Sequence, residues 1–224
     1  TSDSKNPKKI TIAVNAGHGT KGGEKLRTLC HPDGTRKVTG GTNAAGSTTA
    51  MAVSSGMTFK DGTKEATATL QMGHIFAKKL LDQGYDVLLI RDGEDVQLDN
   101  VARTVLANNK ADAHIALHWD STEKDKGAFF MSVPDALKRM EPVSSHWESH
   151  EKLGESLIAG LKAKGVKIFS KGSMDMDLTQ TSYSTIPSVD IELGDKISDH
   201  SEKQLNLLGD ALVDGVNKYY GFSS

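Results

Sequence analysis

A single cysteine, Cys30, in 224 residues leaves no partner for an intramolecular disulfide and no cysteine cluster for zinc. Any metal site must therefore be built from imidazoles and carboxylates. Apolar runs are short: none approaches the roughly 18 residues that read as a membrane span. The opening TSDSKNPKK lacks the charged start and apolar stretch of a leader peptide, and reads as a mature or trimmed start. Charge of one sign is also scarce. A formal net charge of -2 gives no basic face for phosphate, which argues against a nucleic-acid partner.

What remains is a chain long enough for one packed domain and short for two. Residues 1–8 read as a polar stub and 9–222 as the domain. Two kinds of apolar segment alternate, predicting an α/β fold with a mostly parallel or mixed twisted sheet and helices on both faces. Strands are predicted at Ile10 to Val14, Val87 to Ile90, His114 to His118, Gly127 to Val133 and Pro187 to Leu193. Helices are predicted at about Lys64 to Asp82, around Leu98 to Leu106, at Trp147 to Ala163, and from about Leu205 to Tyr219. Two stretches, 20–62 and 164–186, read as long irregular segments, the first far beyond the usual connection of roughly 4–6 residues.

Polar residues in core-like positions are the informative ones, since burying them costs free energy unless something compensates. His18 follows the first strand in a glycine-rich turn, where open α/β sheets place ligands. Glu65 shares the apolar stripe of Met72, Phe76 and Leu80 on its helix, although an acid in a first turn also complements the helix dipole. In His114-Ile115-Ala116-Leu117-His118 the period of two puts both histidines on one face, with His118 at the strand end. Two His and one Glu would complete a catalytic zinc set; His114 reads instead as a half-buried, satisfied side chain. Glu192 and Asp190 share a face of the late strand, and a carboxylate there can serve an activated water. Judged singly, each of these residues also has an ordinary reading as a loop or strand-end side chain.

Other candidates are discounted. His146 and His150 stand at helical i and i+4 spacing but lack the protease pattern, and are read as a solvated helix start; His74 points outward. Arg91 and Arg103 are read as partners of carboxylates or carbonyls, Trp119 as core, and Met174-Asp175-Met176-Asp177 as a plain surface loop rather than a groove rim.

The order of these elements resembles the zinc N-acetylmuramoyl-L-alanine amidases often called amidase 3. Ala16-Gly17-His18-Gly19 resembles the family's Asp-x-Gly-His-Gly opening, with Asn15 near its usual acid. Lys64-Glu65, then Leu80-Leu81-Asp82-Gln83-Gly84-Tyr85-Asp86-Val87, is similar to its ligand Glu and leucine-glycine-valine run. Arg91, with Leu98, Arg103, Ala107, Asn108 and Asp112, follows its Arg-x-x-x-Ala-Asn segment. His118 with Asp120-Ser121 resembles Ser-x-His-x-Asn, and Pro187, Val189, Glu192 and Gly194 its late Pro-x-x-x-x-Glu-x-Gly.

The resemblance implies one zinc ion (Zn2+) on His18, Glu65 and His118, with Glu192 as the catalytic residue; Asp120 and Asp190 are read beside it as candidates for substrate contact. It further implies peptidoglycan or muropeptide as substrate, action outside the cytoplasm, and wall-binding domains or an activator protein outside this chain. Departures are Ala116 for a usual Ser, Asp120 for a usual Asn, Asp190 for an aliphatic residue, no Arg before the last strand, Gly194-Asp195-Lys196-Ile197-Ser198 for Gly-Phe-x-x-Asn, and a longer insertion at 20–62. Rival readings are a zinc carboxypeptidase-like hydrolase, a catalytically silent wall-binding module, and a glycosidase using Asp190 or Glu192.

Overall fold

The computed structural model describes residues 7–223, so most of the stub at 1–8 lies outside the described residues. A six-stranded mixed sheet runs in the order β4-β1-β5-β8-β6-β7. Its central strands are β1 (Thr11–Ala16), β5 (Ala113–Asp120) and β8 (Ser188–Asp195). β1 pairs parallel with β5 and with the edge strand β4 (Asp86–Leu89), and β5 pairs parallel with β8. β6 (Ala128–Ser132) turns the other way against β8 and carries β7 (Ile168–Asp175) parallel to itself.

Alternation along the central strands divides their side chains between two environments. Ile12 and Val14, Ile115 and Leu117, and Val189 and Ile191 face the main core, filled by Met72, Phe76 and Leu80 of α1 (Glu65–Asp82). Leucines of α3 (Val143–Ala163) and α5 (Glu202–Tyr220) complete that core. Ala13 points to the other face, against Ile90 and Ala107 of α2 (Asn100–Lys110). Because the period is two, the same register commits Asn15, His114, His118, Asp190 and Glu192 to this second, more polar face.

The expected strands and long helices are present with ends shifted by a few residues. Two expectations fail. The 164–186 segment is not a loop: it holds β7 and the one-turn helix α4 (Thr179–Tyr183). β7 is an edge strand, half exposed and interrupted by Ser170 and Gly172 at positive φ, so it lacks the apolar alternation that marks a buried strand. The 20–62 segment contributes a small hairpin of β2 (Arg27–Leu29) and β3 (Thr49–Met51).

The second failure is His150. Helix α3 starts at Val143, four residues earlier than predicted, and His150, on the same face as Leu153, Leu157 and Leu161, is only 2% exposed. Its Nδ1 accepts the Ser188 backbone N–H at 3.0 Å, and burial pulls its pKa down to about 4, so the ring is neutral. His74 behaves as expected, half exposed and 2.9 Å from Asp92.

The two long helices over the main core cross at glycine. A Cβ on Gly160 would lie 2.1 Å from the Ala211 carbonyl, and one on Gly215 2.6 Å from Leu157 Cα. Neither neighbour is a flexible side chain. Alanine normally gains about 1 kcal/mol over glycine inside a helix, but overpacking against backbone costs about 1–3 kcal/mol. Gly160→Ala is therefore expected to lower the urea midpoint; a raised midpoint would mean the crossing has room.

Candidate metal centre and cleft

β1 ends in a turn that only a crowded set of contacts can hold. His18 sits at φ 64, in the left-handed region that non-glycine residues avoid. Arg103 donates from Nη2 to the His18 carbonyl at 2.7 Å and from Nη1 to Asn15 Oδ1 and the Ala16 carbonyl. Arg91 donates to the carbonyls of Ala16, Gly17, Gly93 and Ala66. Both arginines are buried, and both bond carbonyls as the sequence suggested. Gly17 is required by proximity: a Cβ there would lie 2.2 Å from the His118 ring.

His18 Nδ1 donates to the Ser54 carbonyl at 2.8 Å, which turns Nε2 toward the other donors. That Nε2 is 2.9 Å from Glu65 Oε1 and 3.1 Å from His118 Nδ1. His118 Nδ1 is in turn 3.2 Å from Glu65 Oε1, while its Nε2 faces Asp190 Oδ2 at 3.6 Å. Three donor atoms from three separate segments thus converge on one point. Each imidazole has an outer partner, Ser54 or Asp190, that fixes which nitrogen points inward. Glu65 is held as firmly: Oε1 accepts the Trp119 N–H at 3.0 Å and Oε2 the Met57 N–H at 2.9 Å.

Charge here is lopsided. Glu65, Asp190 and Glu192 surround the two imidazoles; Glu192 stands in register opposite His118 on the neighbouring strand. Burial works against charging His118, yet Asp190, Glu65 and Glu192 outweigh it and lift its pKa to about 10. Burial pushes Glu65 up, but its bonds to His118 and His18 hold it far below the ordinary range. Burial and then Asp190 push Glu192 well above that range. Burial also raises Asp190, with the two histidines opposing. Asp190 Oδ1 and Glu192 Oε2 are buried with no protein partner. Two nitrogens, one carboxylate oxygen and surplus buried negative charge fit a divalent cation of borderline softness with room for further ligands.

Above the donors lies a cleft with a cavity of about 460 Å³. Asp120, Asp190 and Glu192 line it beside the three donors. His114 does not join them: it is fully buried below, with Nε2 3.1 Å from Asn15 Nδ2. The sequence reading missed the far wall. Residues from the 20–62 insertion and the Met174-Asp175-Met176-Asp177 run form it, so that run is no plain surface loop. Five of the seven methionines line this cavity, giving it adaptable apolar surface beside the polar donors. Asp177 fastens the insertion: Oδ1 is 2.8 Å from His31 Nε2 and Oδ2 accepts the Val38 N–H at 2.7 Å. No signal in the separate segments linked His31 to Asp177, 146 residues apart.

A mixed sheet that presents His18 and His118 near its strand ends, joined by Glu65 from the start of α1 and with a further buried carboxyl beside them in an open cleft, has the form of a hydrolase with a group able to hold a metal. The family can be named more closely. The model of the N-acetylmuramoyl-L-alanine amidase family matches residues 12–211, and the chain belongs to that family.

Solved structures agree in fold. The N-acetylmuramyl-L-alanine amidase of Mycobacterium smegmatis aligns with a TM-score of 0.78 at 16% identity, covering 98% of this chain and 99% of that one. The corresponding enzyme of Nostoc punctiforme gives 0.66 at 18% identity, over 95% and 97%. An amidase of Clostridium difficile gives 0.66 at 19% identity, over 96% and 98%. No curated protein gives a significant match.

Two outcomes follow for metal binding. Gly17→Ala and Gly56→Ala, which push a Cβ against His118 and against His18 with Glu65, should weaken affinity about 10- to 100-fold. Competition with a chromophoric chelator reads this, and unchanged affinity would show that the rings relax freely. Second, a metal held by this donor set would displace the proton on His118 Nδ1. With a pKa of about 10, binding near pH 7 should release at least one proton, and affinity should rise as pH rises toward 10. Calorimetry in buffers of differing ionisation enthalpy measures it.

Proposed function

We propose that this chain hydrolyses the amide bond between N-acetylmuramic acid and L-alanine in peptidoglycan or its muropeptides. In this reading His18, Glu65 and His118 hold one zinc ion and Glu192 handles the proton. The observation that carries it is the carboxyl of Glu192, buried opposite His118 with its Oε2 unpartnered. A carboxyl whose proton affinity is raised by burial and by Asp190 is a stronger base toward water than an ordinary carboxylate. It takes a proton from the attacking water and delivers it to the leaving L-alanine nitrogen. Zinc, when bound, supplies the Lewis acidity that activates water and polarises the scissile carbonyl.

The remaining residues position. Asp190 keeps the proton on His118 Nε2, so that Nδ1 is the ligand atom. Asp120 and Asp190 offer carboxylate oxygens to substrate donors in the cleft. The methionines lining the cleft fit methyl-bearing parts of the substrate, the acetyl, lactyl and alanyl groups.

Such a substrate places the protein outside the cytoplasm, in the wall or periplasm. Among the described residues no helix is long and apolar enough to cross a membrane. An amidase of Clostridioides difficile, 18% identical, was solved in complex with a lipoprotein; wall-binding domains or an activator acting on this chain belong to the same proposal.

Glu192→Gln tests the reading. It is expected to keep metal content while turnover of a muramoyl peptide falls about 10²- to 10⁴-fold. Turnover at the original rate would remove Glu192 from the mechanism. In the wild type, mass spectrometry should find a free L-alanine amino terminus and intact muramic acid, lost with a chelator and restored by zinc. Cleavage within the peptide would favour the carboxypeptidase reading, and reducing sugars released in the presence of chelator the glycosidase.

A further inference from the structure

Asp120 ends β5 as an acid. It lines the cleft two residues beyond His118, at a point where the pairing of β5 with β8 slips between His118 and Asp120. A fourth carboxylate added to Glu65, Asp190 and Glu192 needs a counterpart. Lys126 provides it: its Nζ pairs with Asp120 Oδ2. The same ammonium stands 4.4 Å from the Phe129 ring centroid and 4.7 Å from that of Phe169. Its backbone N–H donates to Asp195 Oδ2 at 3.1 Å, so the segment before β6 is tied down at the main chain as well. Two aromatic faces and a carboxylate thus fix the charge in place.

We infer that Lys126 is a positioning residue that presents Asp120 to the cleft as a fixed hydrogen-bond acceptor for an N–H or O–H group of the substrate. Asp120 Oδ1 accepts the Ser121 N–H at 2.8 Å and Oδ2 takes Lys126. A carboxylate has about four lone-pair sites, so acceptor capacity remains on the cleft side. An asparagine there would offer donors as well as an acceptor; aspartate offers acceptance alone, which makes the pair a determinant of which substrate face is read. Lys126 also cancels the acid's charge beside a centre already rich in carboxylates. Without it, Asp120 would turn to water and repel rather than hold an anionic muropeptide.

The inference rests on the muramoyl-peptide reading, and two readouts keep them apart. Wild-type turnover of a muramoyl peptide tests that reading. Binding of the same peptide to zinc-loaded Glu192→Gln protein, measured by calorimetry, tests the pair without turnover. In that background Lys126→Met is expected to weaken binding about tenfold, and Lys126→Arg, which keeps charge and ring contacts, to weaken it less.

Adding Asp120→Asn to Lys126→Met should restore binding to within about threefold of the parent, because the neutral amide needs no cation. A lysine that merely stabilises the Phe129 and Phe169 packing would give a loss that Asp120→Asn cannot rescue. Failure of rescue, or binding indifferent to Lys126→Met, overturns the inference. Repeating the series with muramoyl-L-alanine and with a muramoyl pentapeptide locates the donor: an equal loss on both assigns it to the sugar or first residue, a loss on the pentapeptide alone to the distal stem.

Discussion

The carboxylate of Glu65 is the joint on which the site depends. One side chain receives the main-chain N–H of Trp119 from the central sheet, the N–H of Met57 from the long insertion, and both ring nitrogens that face inward. Helix α1 has no side-chain cap, and its first acidic residue, which would ordinarily serve the helix dipole, is spent on this bridge. The burial that should raise its proton affinity is overridden by its two histidine partners. Sheet, insertion and helix therefore meet through one anion.

The arginines do a complementary task. The turn carrying His18 leaves several carbonyls pointing away from the sheet ladder, and main-chain groups buried without partners are costly. Arg91 and Arg103 gather these carbonyls, which over-determines the backbone enough to hold His18 in its left-handed conformation. Neither touches a donor atom of the metal group. Their effect on chemistry is transmitted through main-chain position alone.

Legibility in the sequence tracked the locality of the physics. Strand alternation placed His118, Asp190 and Glu192 on one face because a period of two is a local rule, and the glycine turn after β1 marked His18 for the same reason. His150 was legible and was misread: it stands three, seven and eleven residues before Leu153, Leu157 and Leu161, on the same buried face of α3. β7 escaped because an edge strand interrupted by Gly172 carries little periodicity. The cleft's far wall was unreadable: the His31–Asp177 contact, the Ser54 carbonyl on His18 and the methionine lining all join residues whose nearness exists only after the insertion has folded over the sheet. The Asp120–Lys126 pair lies between these cases, close in sequence yet visible only once the slip in β5 turns both toward each other.

The parallel pairing of β1, β5 and β8 also sets a timetable. Each neighbour of β1 and β5 arrives only after a helical crossover, so the donors at 18, 65 and 118 and the carboxyl at 192 become neighbours late in assembly. Any ion held by this group would meet all its donors together only where these strands have paired, so the state of folding and the state of loading are tied to the same contacts.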